Sequence, residues 1–271
     1  MKRRWVRWAA PLALVLVAAA VAVPLTVHGS SGPPHGQTWI ATLATIRALH
    51  DQDADVATQF FDQPSSFALG GYGHAAYAVS WASEAQFELD LAAGAIPGGV
   101  AAVMYDPERW AHTPDAEQRD PVAAIEAFAS AARTAGYEVI VTPHPNLVGV
   151  PGATCGAGPE ESIEDAFLRC GITGSAARVA DVVEVQAQYL ETDPARYADV
   201  VGRAAAQARA ANPKVRLVAG LSTRFATDPG VLVAAWTAAR DIVDGHYMAV
   251  PEGIRPEVAA AFLAQIGASG T

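Results

Sequence analysis

The chain has 271 residues, 51% of them hydrophobic, with 28 acidic against 18 basic side chains and a formal net charge of −10. An acidic body without a basic stripe argues against a nucleic-acid partner. Seven histidines that never fall in HxH or HxxxH spacing, and two cysteines with no paired ligands beside them, argue against a metal centre.

Residues 1–28 read as a cytoplasmic basic flank and membrane anchor. Lys2, Arg3, Arg4 and Arg7 precede an uncharged run from Ala9 to Val27. At ~1.5 Å per residue those roughly 19 residues reach ~28 Å, close to the hydrocarbon thickness of a bilayer. The basic flank predicts a single-pass topology with the body outside the cytoplasm. A cleaved signal peptide, cut near Ala18 to Ala22, is the alternative, and would leave a secreted body. Residues 29–36 are a Gly/Pro/Ser linker, and residues 37–271 are long enough for one large domain.

Within that domain, Trp39 to Leu49 has the spacing of an amphipathic helix, and Asp51, Asp53 and Asp55 form an acidic helix end. The calcium-loop glycine and distal glutamate are missing there. Val56 to Phe60 is a strand candidate. Phe67 to His74 reads as a glycine-rich turn whose Gly71-Tyr-Gly73 does not extend to GxGxxG, so no nucleotide is implied. Tyr77 to Trp81 is a strand, Ser83 caps a helix with Gln86 completing a capping box, and a strand from Ala101 ends at Asp106.

Asp120-Pro121, Asp193-Pro194 and Asp228-Pro229 then each open an alanine-rich helix, with Asp as the cap and Pro at the first helical position. Apolar runs at Glu138 to Thr142, Val182 to Gln186, Val215 to Leu221 and His246 to Val250 alternate with these helices, and Pro256 opens a last one. The alternation predicts βα units on a parallel sheet. With seven strand candidates, the expected fold is a (β/α)8-type (TIM) barrel with one strand irregular or missing, behind an N-terminal transmembrane helix. Cys155 and Cys170 lie in one Gly/Pro-rich connection. In an exported body they read as a disulfide, with two buried thiols as the alternative.

Polar residues gather at the carboxyl ends of these strands, where such barrels keep their chemistry. Pro107 keeps Asp106 extended and ends its strand. Glu108 and Trp110 follow, His144 lies beyond EVIVT, Ser222 ends VRLVAGLS, and His246 and Tyr247 are on the last strand. In VVEVQAQY Val183 and Val185 share one face, so Glu184 and Gln186 face inward, with Gln188 beyond them. Two facing carboxyls, Asp106 and Glu184, are the expected acid/base pair of glycoside cleavage. Glu108, Trp110, His144, Gln186, Gln188, Ser222 and Tyr247 are the expected substrate-binding residues. The structural alternatives are a turn-forming Asp106, a Glu184 bonded to an arginine in the barrel floor, a surface Glu108 and a loop-fixing His144. Gly220-Leu-Ser222-Thr-Arg224 lacks the second glycine of a nucleophile elbow, against a serine hydrolase.

Tyr105-Asp-Pro-Glu-Arg-Trp110, Thr113-Pro114 with Glu117-Gln118, and Glu184-Val-Gln-Ala-Gln188 resemble uncharacterised exported (β/α)-barrel proteins of actinobacteria, over roughly residues 79–251. More distantly the chain is similar to glycoside-hydrolase-like barrels, without the DxxDxDxE run of the chitinase-type families, so that likeness implies a fold and no catalytic role for any residue. The expected function is an envelope protein that binds a carbohydrate, with hydrolysis as the active form of that reading. The alternative is a non-catalytic glycan- or protein-binding module. No cofactor is expected.

Overall fold

The computed structural model describes residues 37–268, so the expected anchor and linker lie outside the described residues. Among the described residues no helix is long and apolar enough to cross a membrane. Eight strands run in order around a closed parallel barrel: β1 (Thr38–Thr42), β2 (Phe67–Leu69), β3 (Ala76–Trp81), β4 (Ala102–Tyr105), β5 (Glu138–Val141), β6 (Val182–Val185), β7 (Arg216–Ser222) and β8 (Gly245–Ala249). Helices pack between them: α1 (Leu43–Gln52), α2 (Ala54–Phe61), α3 (Glu84–Ala92), α4 (Asp115–Arg119), α5 (Pro121–Thr134), α6 (Ile163–Arg169), α7 (Ile172–Val179), α8 (Pro194–Ala211), α9 (Pro229–Ala239) and α10 (Pro256–Ala268).

Three expectations at the start of the chain need correction. Trp39 to Leu49 is not one helix. Its first part is β1, and Thr42 then caps α1 by accepting from the Thr45 N–H. Trp39, Ile40 and Ala41 are all fully buried, because a barrel strand is covered on both faces and loses the polar alternation that betrays a strand. Val56 to Phe60 is not a strand but most of α2, which Asp53 caps. Val56, Ala57, Phe60 and Phe61 form its buried stripe. The Phe67 to His74 turn contains β2, only three residues long. One candidate strand lost and two gained close the barrel at eight.

The other elements follow the sequence closely. Asp120, Asp193 and Asp228 each accept a hydrogen bond from a first-turn N–H, with Pro at the first helical position. Ser83 caps α3, but Gln86 donates its amide to Asp90 and not back to the cap, so only half of the capping box forms.

The two sides of the strands bury different sets of residues. Inside the barrel Ile40, Phe67, Ala78, Ala102, Met104, Ile140, Val182 and Val218 make a small apolar plug. Outside it Trp39, Val103, Tyr105, Val139, Val183, Leu217 and Leu221 join the helices in the larger core. At the amino ends of the strands, Arg216 lies over the Phe67 ring and pairs with Glu138. A floor arginine therefore exists, but its partner is Glu138 and not Glu184.

Cys155 and Cys170 form a disulfide across a separation of 15 residues, tying the β5–α6 connection to the end of α6. In the chain-entropy account, closing such a loop stabilises the fold by ~3 kcal/mol. Replacing both cysteines with serine is expected to lower the unfolding free energy by about that amount, read as a lower denaturant midpoint. An unchanged midpoint would mean that the unfolded loop is already constrained.

Candidate active site at the carboxyl end of the barrel

Asp106 stands one residue beyond β4 on the inward face it shares with Met104, and its N–H donates to Trp81 O (2.9 Å). Its Oδ1 accepts from the Thr142 hydroxyl (2.6 Å) and from the Gln186 amide (3.0 Å). Gln186 also donates to Thr142 O (2.6 Å) and accepts from Gln188 Nε2 (3.2 Å). Three strand ends are thus linked by one chain of hydrogen bonds that terminates on a carboxyl oxygen. Asp106, Glu108, Glu184, Gln186, Gln188 and Tyr247 line one cavity of about 300 Å³, with Thr142 and Gly220 in the same wall.

Glu184 is buried, and among the described residues no side chain or backbone group donates to its carboxyl. Gly220 makes room for it. A Cβ on that glycine would lie 2.6 Å from Gln188 Oε1 and 2.7 Å from Glu184 Oε1. Burial, then the nearby Asp106 and Glu108, push the Glu184 carboxyl well above the ordinary range. Burial also raises Asp106, against the pull of its bonds from Thr142 and Gln186. Glu108 is raised to about 7, first by burial and then by Asp106. Among the described residues no arginine, lysine or histidine lines this cavity.

A second cavity of about 520 Å³ adjoins the first. Glu108, Gln188 and Ala249 line both, and Trp110, His144, Tyr189, Ser222, Arg224 and Phe225 line only the second. The His144 Nδ1 accepts the Asn146 N–H (3.0 Å), so the proton of the neutral ring sits on Nε2. Burial lowers this histidine to about 4. Its loop-fixing bond and its place in the cavity wall are both real. The Ser222 hydroxyl accepts from the Arg224 N–H, with no histidine bonded to it among the described residues.

The structure therefore gathers all nine expected site residues at one end of the barrel, in two adjoining cavities. His246 does not join them. It points outward from β8 against Trp39, fully buried, with both ring nitrogens unpartnered, and burial drives it down to about 3. Glu117 and Gln118 are scaffold. Glu117 accepts from Tyr105 OH and from Ser83 and the start of α3, while Gln118 donates to Trp110 O and Thr113 O and so shapes the Trp110 loop.

Sequence reasoning passed over Thr142, although it ends EVIVT level with Asp106. It also missed Phe225 and Glu191, for which strand periodicity offers no signal. Glu191 follows the 3-10 turn Gln188–Leu190 and is fully buried. Its Oε1 accepts the Ser222 N–H (2.5 Å), its Oε2 has no partner, and burial lifts its carboxyl to about 9. A carboxyl raised in the fold stabilises it at low pH, and this contribution fades as pH rises from the unfolded value of about 4.5 through 9. Glu191→Gln is expected to match wild type near pH 5 and to melt several degrees higher at pH 8.5. Parallel melting curves at both pH values would exclude an ionising Glu191.

Among the described residues no group of three or more His, Cys, Asp or Glu side chains is arranged to hold an ion. The sequence matches no protein-family model and no curated protein. Among solved structures, triosephosphate isomerase from Bartonella henselae superposes with a TM-score of 0.50 at 12% identity, over 85% of this chain and 98% of that one. The chain has a (β/α)8-barrel fold.

A candidate alpha-L-fucosidase from Bacteroides thetaiotaomicron VPI-5482 is similar with a TM-score of 0.44 at 11% identity, over 68% of this chain and 60% of that one. The N-terminal domain of a candidate aldolase from Bacteroides vulgatus gives 0.46 at 13%, over 80% of this chain and 74% of that one. The chain thus spans about three fifths of the fucosidase chain's length. At these identities the likeness concerns the barrel fold.

Proposed function

We propose that this barrel hydrolyses a glycosidic bond in a carbohydrate of the cell envelope. One observation carries the reading: three carboxyls, Asp106, Glu108 and Glu184, share a cavity that no cationic side chain lines among the described residues. Without a counter-ion, burial and mutual repulsion separate their charge states, which is what acid–base cleavage by paired carboxyls requires.

The roles follow from position. Glu108 lines both cavities and, raised to about 7 by burial and then by Asp106, holds its proton below that pH, so it donates to the glycosidic oxygen as the bond breaks. Asp106 is raised by burial, but its hydrogen bonds from Thr142 and Gln186 favour the anion, and in that form it faces the positive charge growing at the anomeric carbon. Water supplies the oxygen that completes that carbon, and its proton restores Glu108. Glu184 lines only the inner cavity, where it stays protonated and holds a sugar hydroxyl. In this reading Glu108, expected from the sequence to bind substrate, takes the place of Glu184 in the acid/base pair with Asp106.

A kcat/KM profile on a panel of aryl and oligosaccharide glycosides tests this. Activity should fall as pH rises through about 7, where Glu108 loses its proton. In Glu108→Gln that limb should vanish, with a loss of roughly 10²–10⁴ on unactivated glycosides and a smaller one on dinitrophenyl glycosides. Saturable binding by the panel without any bond cleavage would instead assign the site to a non-catalytic binding module.

The reading includes a location. The basic flank and the apolar run from Ala9 to Val27 anchor the chain in the membrane with its barrel outside. The Cys155–Cys170 disulfide supports an oxidising surrounding. Recovery of a soluble body beginning near Pro24 would replace the anchor with a cleaved signal peptide.

A further inference from the structure

We infer that the mouth is partitioned at Glu108 so that single sugar units are removed from the non-reducing ends of chains. The terminal ring enters the inner cavity, and the departing remainder lies along the outer one. This rests on the hydrolytic reading above and adds a substrate form and a mode of action to it.

Size and closure carry the argument. The inner cavity, at about 300 Å³, is at the low end for ligand pockets and suits one sugar ring. The apolar plug of Ile40, Phe67, Met104 and their neighbours closes it below, so a chain cannot thread through. The outer cavity is larger, at about 520 Å³, and differs in chemistry. Trp110 and Phe225 are each 40% exposed there, unusual for large apolar rings, and Tyr189 and His144 stack with centroids 6.3 Å apart. Aromatic faces pack on the apolar faces of sugar rings, and the His144 Nε2–H supplies a neutral donor for a hydroxyl.

The platform is also held in place. Arg255 donates to Thr223 O (2.5 Å), and the Thr223 hydroxyl donates to Ile254 O, so the loop after β8 clasps the loop that presents Phe225. Arg255 adopts a left-handed backbone conformation (φ 54°) in making this clasp, a strained choice for a residue other than glycine. The scissile bond then falls at the wall shared by the cavities, where Glu108 stands.

Two measurements on the full-length protein test the inference. Tetrasaccharides of glucosyl, galactosyl, mannosyl, arabinosyl, fucosyl and N-acetylglucosaminyl units, labelled with 2-aminobenzamide at the reducing end, are incubated with wild type and sampled early. The expected first products are a free monosaccharide and a labelled trisaccharide. Early labelled mono- or disaccharide would overturn the end-acting mode while leaving hydrolysis standing. In an Asp106→Asn background, Trp110→Ala and Phe225→Ala should weaken tetrasaccharide binding at least tenfold more than binding of the matching monosaccharide. Equal losses for both ligands, or no binding of either, would overturn the two-compartment assignment. The expected binding pattern without turnover in wild type would remove the hydrolytic reading alone.

Discussion

Asp106→Asn should abolish most turnover, by roughly 10²–10⁴ in kcat, while leaving the fold intact. The two halves of that expectation rest on different atoms. Asn keeps a side-chain oxygen in place of Oδ1, and both bonds that reach it, from the Thr142 hydroxyl and the Gln186 amide, come from donors. The hydrogen-bond chain across β4, β5 and β6 therefore survives, and melting should be unchanged or slightly higher, because burial already disfavours the charged form of this carboxyl. What Asn cannot supply is a negative charge facing the anomeric carbon. Steady-state rates alongside calorimetric melting decide the matter. Full activity in a normally folded Asp106→Asn protein would remove Asp106 from the mechanism.

Gly245→Ala is expected to have the largest effect on stability, more than about 4 kcal/mol, which falls outside the ordinary range for single substitutions. Gly245 opens β8 where that strand closes the barrel against β1, paired in register with Thr38. A Cβ there would lie 1.9 Å from Thr38 O and 2.7 Å from Thr38 C. Both atoms are backbone, so no rotamer change relieves the contact, and the first and last strands must separate. Separation would expose the Trp39 and His246 rings, which are fully buried across this seam. Chemical denaturation of the variant reads the loss. A change below 1 kcal/mol would show that the seam can widen without breaking.

The seam also sets an acid limit opposite in sign to that of Glu191. His246 is depressed to about 3 in the fold, so its contribution is complete above the unfolded value of about 6.5 and is lost as pH falls toward 3. Glu191 weakens the fold in the alkaline direction. Stability should therefore peak between these two limits.

How far the sequence could be read depended on what each segment buries. Helices announced by Asp-Pro caps were legible to within a residue or two, because the cap is a local chemical signal. β6 was legible with its facing, since Val183 and Val185 on one side and Glu184 with Gln186 on the other preserve a period of two. β1 and β2 were not, because Trp39, Ile40 and Ala41 have no polar side and β2 has too few residues to show a period. Asp106 and Glu184 could be placed in one mouth from strand ends alone. The rank of the carboxyls could not, because it depends on depth. Glu108 borders two cavities and Glu184 one, and this follows from how loops fold over the strands.

Barrel closure has a consequence for biosynthesis. Bonds from Gln37 to Arg240 O and from Val250 N to Thr45 span 203 and 205 residues, and contacts so remote in the chain form late. A polypeptide made from its amino end thus carries β1 with one hydrogen-bonding edge open until nearly the whole length has been synthesised. During that interval the nascent protein is vulnerable to intermolecular strand pairing, and its yield in cells should depend on holdase chaperones more than its finished stability suggests.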